Sequence, residues 1–352
     1  MLPSVLAALI LEASPITIEV RPATVLVERT PSGQFLNLDL ILTNTTADPV
    51  TLGALEMSVL DRSGKLALRK EINSDGERPS IDVLGAHELR PGQPELVMNP
   101  FERIEPGIDV GRLVFDLKYY FKDRIEHGSV TVDVRPDTRA PVLLPVRGRV
   151  LVWDGHDFYS HHRRFDVVST MARQLGFKSN VLRFAYDFFR IDESGERSRG
   201  DPALNESWFS FGSPVHAVAA GAVVAVEDTW PDARKLDVQR LKTDRMAMFG
   251  NHVIVRHADG AFALYGHLRQ GSARCRPGEA VQAGQVLGAI GASGGAAAPH
   301  LHFELQTTAD ADGEGLPSSF ARYRRVVGAR SVQVAAGRID SGDIVEAAQQ
   351  GP

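Results

Sequence analysis

The strongest local signal for chemistry is the run Pro299-His300-Leu301-His302-Phe303-Glu304-Leu305. If it is a strand, side chains two apart share a face, so His300 and His302 project into the same space. Two imidazoles side by side are poor core filler, because each ring nitrogen needs a partner. A catalytic zinc site uses three protein ligands and keeps a fourth position for water, so one histidine of this pair as ligand and the other as acid or base would suit it. Alone, an H-x-H pair is a weak motif that two surface histidines also satisfy.

Its context is more specific. Gly250-Asn251-His252-Val253-Ile254-Val255-Arg256-His257 precedes Leu264-Tyr265-Gly266-His267-Leu268. Gly278-Glu279-Ala280-Val281 and Gly284-Gln285-Val286-Leu287-Gly288 then lead into the H-x-H run. Upstream stand Phe211-Gly212-Ser213-Pro214-Val215-His216-Ala217 and Ala220-Gly221-Ala222-Val223-Val224. From about Asp154 to Gln306 this succession resembles the lysostaphin-type (LytM-like) zinc endopeptidases of bacterial peptidoglycan. The resemblance implies a Zn2+ ion held by an upstream histidine, an aspartate and the second histidine of H-x-H, which is His302.

The family commonly spaces its first two ligands as H-x-x-x-D, and His162-Arg163-Arg164-Phe165-Asp166 fits that literally. A longer variant separates the histidine from an Arg-Phe-Ala-x-Asp-Phe strand, here Arg183-Phe184-Ala185-Tyr186-Asp187-Phe188. His162 and Asp187 are preferred, because a carboxylate in so apolar a strand is costly unless it meets a metal. His161 and Asp166 are the alternates. The resemblance further implies that His300 orients or deprotonates the attacking water, and that His267 stabilises the oxyanion or protonates the leaving amine. His87 reads as solvated, and His156, His216, His252 and His257 as structural or supporting. The Asp154 to Asp157 segment around His156 reads as a loop.

The elements that must position these groups read as strands. From Ile16 to about Pro136 apolar residues alternate, as in Leu36, Leu38, Leu40 and Leu42, or Leu113, Phe115, Leu117 and Tyr119. Turn signals such as Pro31-Ser32-Gly33 and Arg90-Pro91-Gly92 punctuate them, which argues an immunoglobulin-like β-sandwich over 16–136 with a spacer, docking or protein-partner role. A proline-rich linker over 137–150 then opens the peptidase domain, 151–312. There, strands are expected at Ala217–Val226, His252–Arg256, Ala261–Tyr265, Val286–Ile290 and Leu301–Leu305, with one helix over Val167–Gly176. Residues 313–352 hold few apolar positions and are expected to form a covering tail. The fold class is therefore all-β: the sandwich, then an antiparallel lysostaphin-type sheet with few short helices.

Composition narrows the partners. The 352 residues carry a net charge of -5 with signs interspersed, so no basic face exists for nucleic acid. The single cysteine, Cys275, permits no intramolecular disulfide; its polar flanks suggest a surface thiol. Residues 1–15 (MLPSVLAALILEASP) resemble the apolar core and cleavage zone of a secretory signal without its positive start. Export to the periplasm or cell envelope is expected, with no transmembrane span. Two rivals compete with the peptidase: a catalytically silent wall-binding module or regulator of another hydrolase, and a lipoyl-type carrier. The carrier needs a lysine at a displayed turn, and Ala219-Ala220-Gly221 and Gly291-Ala292-Ser293-Gly294-Gly295 contain none.

Overall fold

A computed structural model describes residues 14–85 and 87–347. Strand dominates at 44%, against 8% helix, which places the chain in the all-β class. The expected signal segment lies outside the described residues apart from Ser14 and Pro15. No helix among the described residues is long and apolar enough to cross a membrane.

The chain forms two compact units. One contains the residues up to Val25 together with Leu38–Arg135. In it, Ile16–Arg21, Asp39–Asn44 and Pro94–Met98 make one antiparallel sheet, with Ile18 opposite Leu42 and Leu40 opposite Val97. Leu66–Asn73, Val50–Leu60, Arg112–Phe121 and Arg124–Pro136 make another, in that order. Leu113, Phe115, Leu117 and Tyr119 are all fully buried, as period-two alternation demands. Two antiparallel sheets are thus present; an immunoglobulin-like topology is a finer assignment than this arrangement carries.

The second unit joins Leu26–Asn37 to everything from Pro136 onward. The expected boundary at 136 therefore misses a hairpin, in which Val27 pairs with Leu36 and Thr30 with Gly33. The reason is electrostatic as well as apolar. Glu28 is buried with His156 Nε2 at 2.9 Å, and the Arg338 guanidinium lies 3.7 Å away. Burial pushes the Glu28 carboxyl up, but His156 and Arg338 outweigh it and hold it below the ordinary carboxylate value.

The main sheet of this unit runs in the order Ala280–Val281, Gly221–Glu227, His252–Arg256, Phe262–Gly266, Leu301–Gln306, Tyr186–Arg190, Arg149–Asp154, Ile344–Ala347, Phe320–Val327, Arg330–Gly337. Alternation divides its two faces. Tyr186, Phe188, Leu301, Phe303 and Leu305 point into one core with Val150, Val152, Val253, Val255 and Tyr265. Asp187, Phe189, His302 and Glu304 consequently belong to the opposite face. After Gly313 the chain adds a β-hairpin, Phe320–Val327 with Arg330–Gly337, and the strand Ile344–Ala347, which pairs with both Phe320–Val327 and Arg149–Asp154. Phe320, Tyr323, Ile339 and Val345 anchor them in the core. The helix shortens to Thr170–Gln174, begun by Ser169, whose Oγ accepts from the Ala172 amide.

Cys275 is buried in this core rather than displayed, and burial raises its thiol pKa. The two flanking arginines are exposed while Cys275 alone turns inward.

Candidate metal centre

Three adjacent strands bring the site together. Asp187, on Tyr186–Arg190, pairs in register with His302 on Leu301–Gln306, so both side chains leave the same face at neighbouring positions. On its other side the strand meets Arg149–Asp154, where a β-bulge at Trp153 sets Asp154 opposite Asp187 and turns Trp153 outward, 49% exposed. Asp154 then ties down the following loop. Its carboxylate accepts from Ser160 Oγ at 2.8 Å and from the His161 and His162 amides at 3.1 Å each. Asn180 Nδ2 donates to the His162 and Arg163 carbonyls from beneath. His162 is thereby swung over the sheet.

The result is a buried group of three ligating atoms, from His162, Asp187 and His302, all within 4.8 Å of one another. His162 Nε2 lies 3.7 Å from Asp187 Oδ2, and His302 Nδ1 lies 3.3 Å from Asp187 Oδ1. Donors around a tetrahedral ion at about 2.0–2.2 Å stand about 3.3–3.6 Å apart, so this spacing fits a metal. Two imidazoles and one carboxylate are also a donor set that divalent metals accept. A second group, Asp154 with His161 and His162, is less suited. Asp154 already accepts from the loop it ties down, and the His161 side chain is 66% exposed.

The alternates fall away from the three-residue group. Asp166 caps a turn, accepting from the Val168 and Ser169 amides at 2.9 and 3.2 Å. The position four before Asp187, which the common H-x-x-x-D spacing gives to histidine, holds the fully buried Arg183. His162 reaches Asp187 from a different segment.

His300 and His267 flank the group. His300 Nε2 is 3.2 Å from Asp187 Oδ1, and the His267 and His300 ring centroids are 4.8 Å apart. His267 holds a left-handed backbone, φ 59°, which a non-glycine residue adopts at a cost of about 1–3 kcal/mol. It is pinned by its amide to the Phe249 carbonyl at 2.8 Å and by Nδ1 to the Ser293 carbonyl at 2.9 Å. That carbonyl is positioned by a close crossing of two loops. A Cβ at Gly250 would meet the Gly294 amide at 2.5 Å, so both positions require glycine. His300 Nδ1 lies 2.7 Å from the Ala298 carbonyl. A carbonyl accepts but cannot donate, so each Nδ1 carries a proton; His267 Nε2 is then left bare in the neutral ring, whereas His300 Nε2 faces Asp187 Oδ1.

Charge in the cleft is strongly coupled. Burial raises Asp187, yet the charges of His300 and His162 and hydrogen bonds from His300 and His302 carry its carboxyl well below the usual range. Burial and the neighbouring His300 and His302 hold His267 well below the usual imidazole value, so it rests neutral. His302 goes the other way. Burial lowers it, but hydrogen bonds to Asp187 and Glu304 raise it to about 9. An ion taking His302 must therefore displace a proton.

Three supporting residues escaped the sequence reading. Asp154 lies 2.8 Å from His162 Nδ1, where a carboxylate favours Nε2 as the ligating atom. Glu304, fully buried, lies 3.3 Å from His302 Nε2, which leaves Nδ1 directed at Asp187. Phe189 stacks on His300 at 5.1 Å and 15°. The signal for Glu304 was already present, since it shares the face of His302 two residues on. Glu304→Leu is expected to weaken metal binding about 10- to 100-fold, while Glu304→Gln, whose amide oxygen still accepts from Nε2, keeps most of it. Chelator competition measures both; equal losses would mean that Glu304 acts by filling space.

Residues 209–313 match the model of peptidase family M23. The chain carries an M23 domain. The match contains His267, His300 and His302 and begins after His162 and Asp187. Among curated relatives, the cell division protein DipM of Caulobacter vibrioides is 41% identical over 63 residues, 18% of this chain and 10% of DipM. The DD-carboxypeptidase/endopeptidase Mpg of Neisseria meningitidis is 42% identical over 62 residues, 18% of this chain and 14% of Mpg. The peptidoglycan DD-endopeptidase ShyC of Vibrio cholerae is 38% identical over 128 residues, 36% of this chain and 27% of ShyC. The chain thus matches a quarter or less of the length of most of these relatives. The catalytic domain of lysostaphin from Staphylococcus simulans aligns over 37% of this chain and 73% of that one, at 23% identity and a TM-score of 0.24.

Proposed function

We propose that the protein is a zinc-dependent endopeptidase that hydrolyses peptide cross-bridges of bacterial peptidoglycan in the cell envelope. The observation that carries this reading is the convergence of His162, Asp187 and His302 in one buried group, flanked by two further histidines whose rings are tethered through Nδ1 to backbone carbonyls. The M23 domain supports the reaction class, and the printed names of Mpg and ShyC support the substrate. His162, Asp187 and His302 hold the ion. Bound there, zinc polarises the scissile carbonyl and brings the pKa of a water to about 7.

The remaining steps belong to the chain. His300 Nε2, beside Asp187, takes the proton of the attacking water, with its ring held by Ala298 and by stacking on Phe189. His267 is neutral and bare at Nε2, so it is equipped to accept a proton and return it to the leaving amine. In this tautomer the one N–H of the neutral ring is spent on the Ser293 carbonyl and Nε2 has none to offer an oxyanion, which favours proton transfer over oxyanion binding as its role. The N-terminal unit serves as a docking or spacer element.

The test is hydrolysis of purified peptidoglycan by the zinc-loaded chain. New amine termini should appear, vanish on chelation and return with zinc. Binding to the wall without any new amine would instead support the silent wall-binding module.

A further inference from the structure

The aromatic face behind His300 extends beyond Phe189, the ring that stacks on it. Trp153, turned outward by its bulge, meets Phe189 edge-on at 5.9 Å, and Phe189 meets Trp208 at 5.9 Å. Arg197 is seated on all three rings. Its Cζ is 4.3 Å from the Trp153 centroid, 5.5 Å from Phe189 and 5.8 Å from Trp208.

The two other arginines of this face are engaged. Arg199 donates to Asp192 at 3.3 Å, and Arg234 donates to Asn205 Oδ1 at 2.6 Å and to the Pro202 carbonyl at 2.7 Å. Arg197, half-buried, has ring contacts but no side-chain acceptor among the described residues. Three aromatic contacts remove much of its rotamer freedom and some of its hydration, while its planar fork of donors stays free. That is a preorganised carboxylate receptor.

Its distance from the chemistry fixes what it can read. Two ring contacts, of 5.5 and 5.1 Å, connect Arg197 through Phe189 to His300. An extended peptide at about 3.3–3.6 Å per residue covers that interval in about three residues or fewer.

We propose that Arg197 is the substrate-selecting residue of the cleft, and that the substrate is an anionic peptide with a carboxylate within about three residues of the scissile bond. A bridge built of glycine offers no such side chain and is disfavoured. The inference rests on the peptidase reading and deepens it. Side-chain and C-terminal carboxylates share the required chemistry and are separated by experiment.

The test uses three synthetic peptides of one sequence and the zinc-loaded full chain. One has a free side-chain carboxylate, one a free C-terminal carboxylate, and one has both amidated. The expected result is a kcat/KM about 10- to 100-fold higher for one of the acids than for the amidated peptide, the size of a charge-assisted hydrogen bond. Arg197→Gln should narrow that ratio to within about threefold, and Arg199→Gln, whose side chain is held by Asp192, should leave it intact. Equal cleavage of all three by the unmodified chain, which requires no variant to fold, overturns the proposal. So does Arg197→Gln lowering acid and amide alike. If no peptide is cleaved, the peptidase reading fails, and equilibrium binding of the same peptides decides the role of Arg197: tighter binding of an acid supports it and equal affinities overturn it.

Discussion

Asp187→Ala is expected to remove zinc binding and peptidase activity together, while Asp166→Ala keeps the metal. Asp187 is the common partner of His162 and His302, so its loss takes one of the three ligands and unclamps the other two. Asp166 spends its carboxylate on a turn. The same argument makes His302→Ala a metal-free protein, since a site with three protein ligands rarely survives on two. Elemental analysis after dialysis distinguishes the outcomes. Full zinc occupancy in Asp187→Ala would move the centre to Asp154, His161 and His162.

His300→Ala and His267→Ala should behave differently, retaining zinc but slowing hydrolysis by about 10² to 10⁴. Neither belongs to the group of three, and each is tethered by Nδ1 to a backbone carbonyl, which leaves Nε2 as the nitrogen for proton transfer. The double variant should lose less than the product of the two single losses if one proton passes between them, because residues acting as a unit are not additive. Metal content alongside turnover decides it. Loss of zinc from His300→Ala as complete as from His302→Ala would mean that ligand and base are exchanged, and normal turnover in both variants would remove them from the mechanism.

Much of this centre was legible because strand alternation is a short-range rule. His300 and His302 two apart, and Asp187 between Tyr186 and Phe188, each declare a polar face on a strand whose other face is apolar. Glu304 obeyed the same rule and was passed over, since a glutamate at that spacing also fits a solvated face. Asp154 was hidden for a different reason. Its place opposite Asp187 depends on one extra residue, Trp153, and nothing in local composition marks a bulge. His162 lies 25 residues before Asp187, so their meeting depends on a loop fastened by Asp154 and Asn180 rather than on any fixed spacing.

The Leu26–Asn37 hairpin changes how this chain can be divided. The backbone enters the second unit, leaves it after Asn37 and returns only at Pro136, so no single cut separates two complete folding units. A fragment beginning at residue 137 would contain every proposed ligand and base. It would also lack Glu28, leaving buried His156 without its acidic partner and Arg338 with Asp340 alone. Genes that recombine whole modules would therefore have to transmit this protein's N-terminal segment along with its peptidase segment. The hairpin makes the two halves an inherited pair.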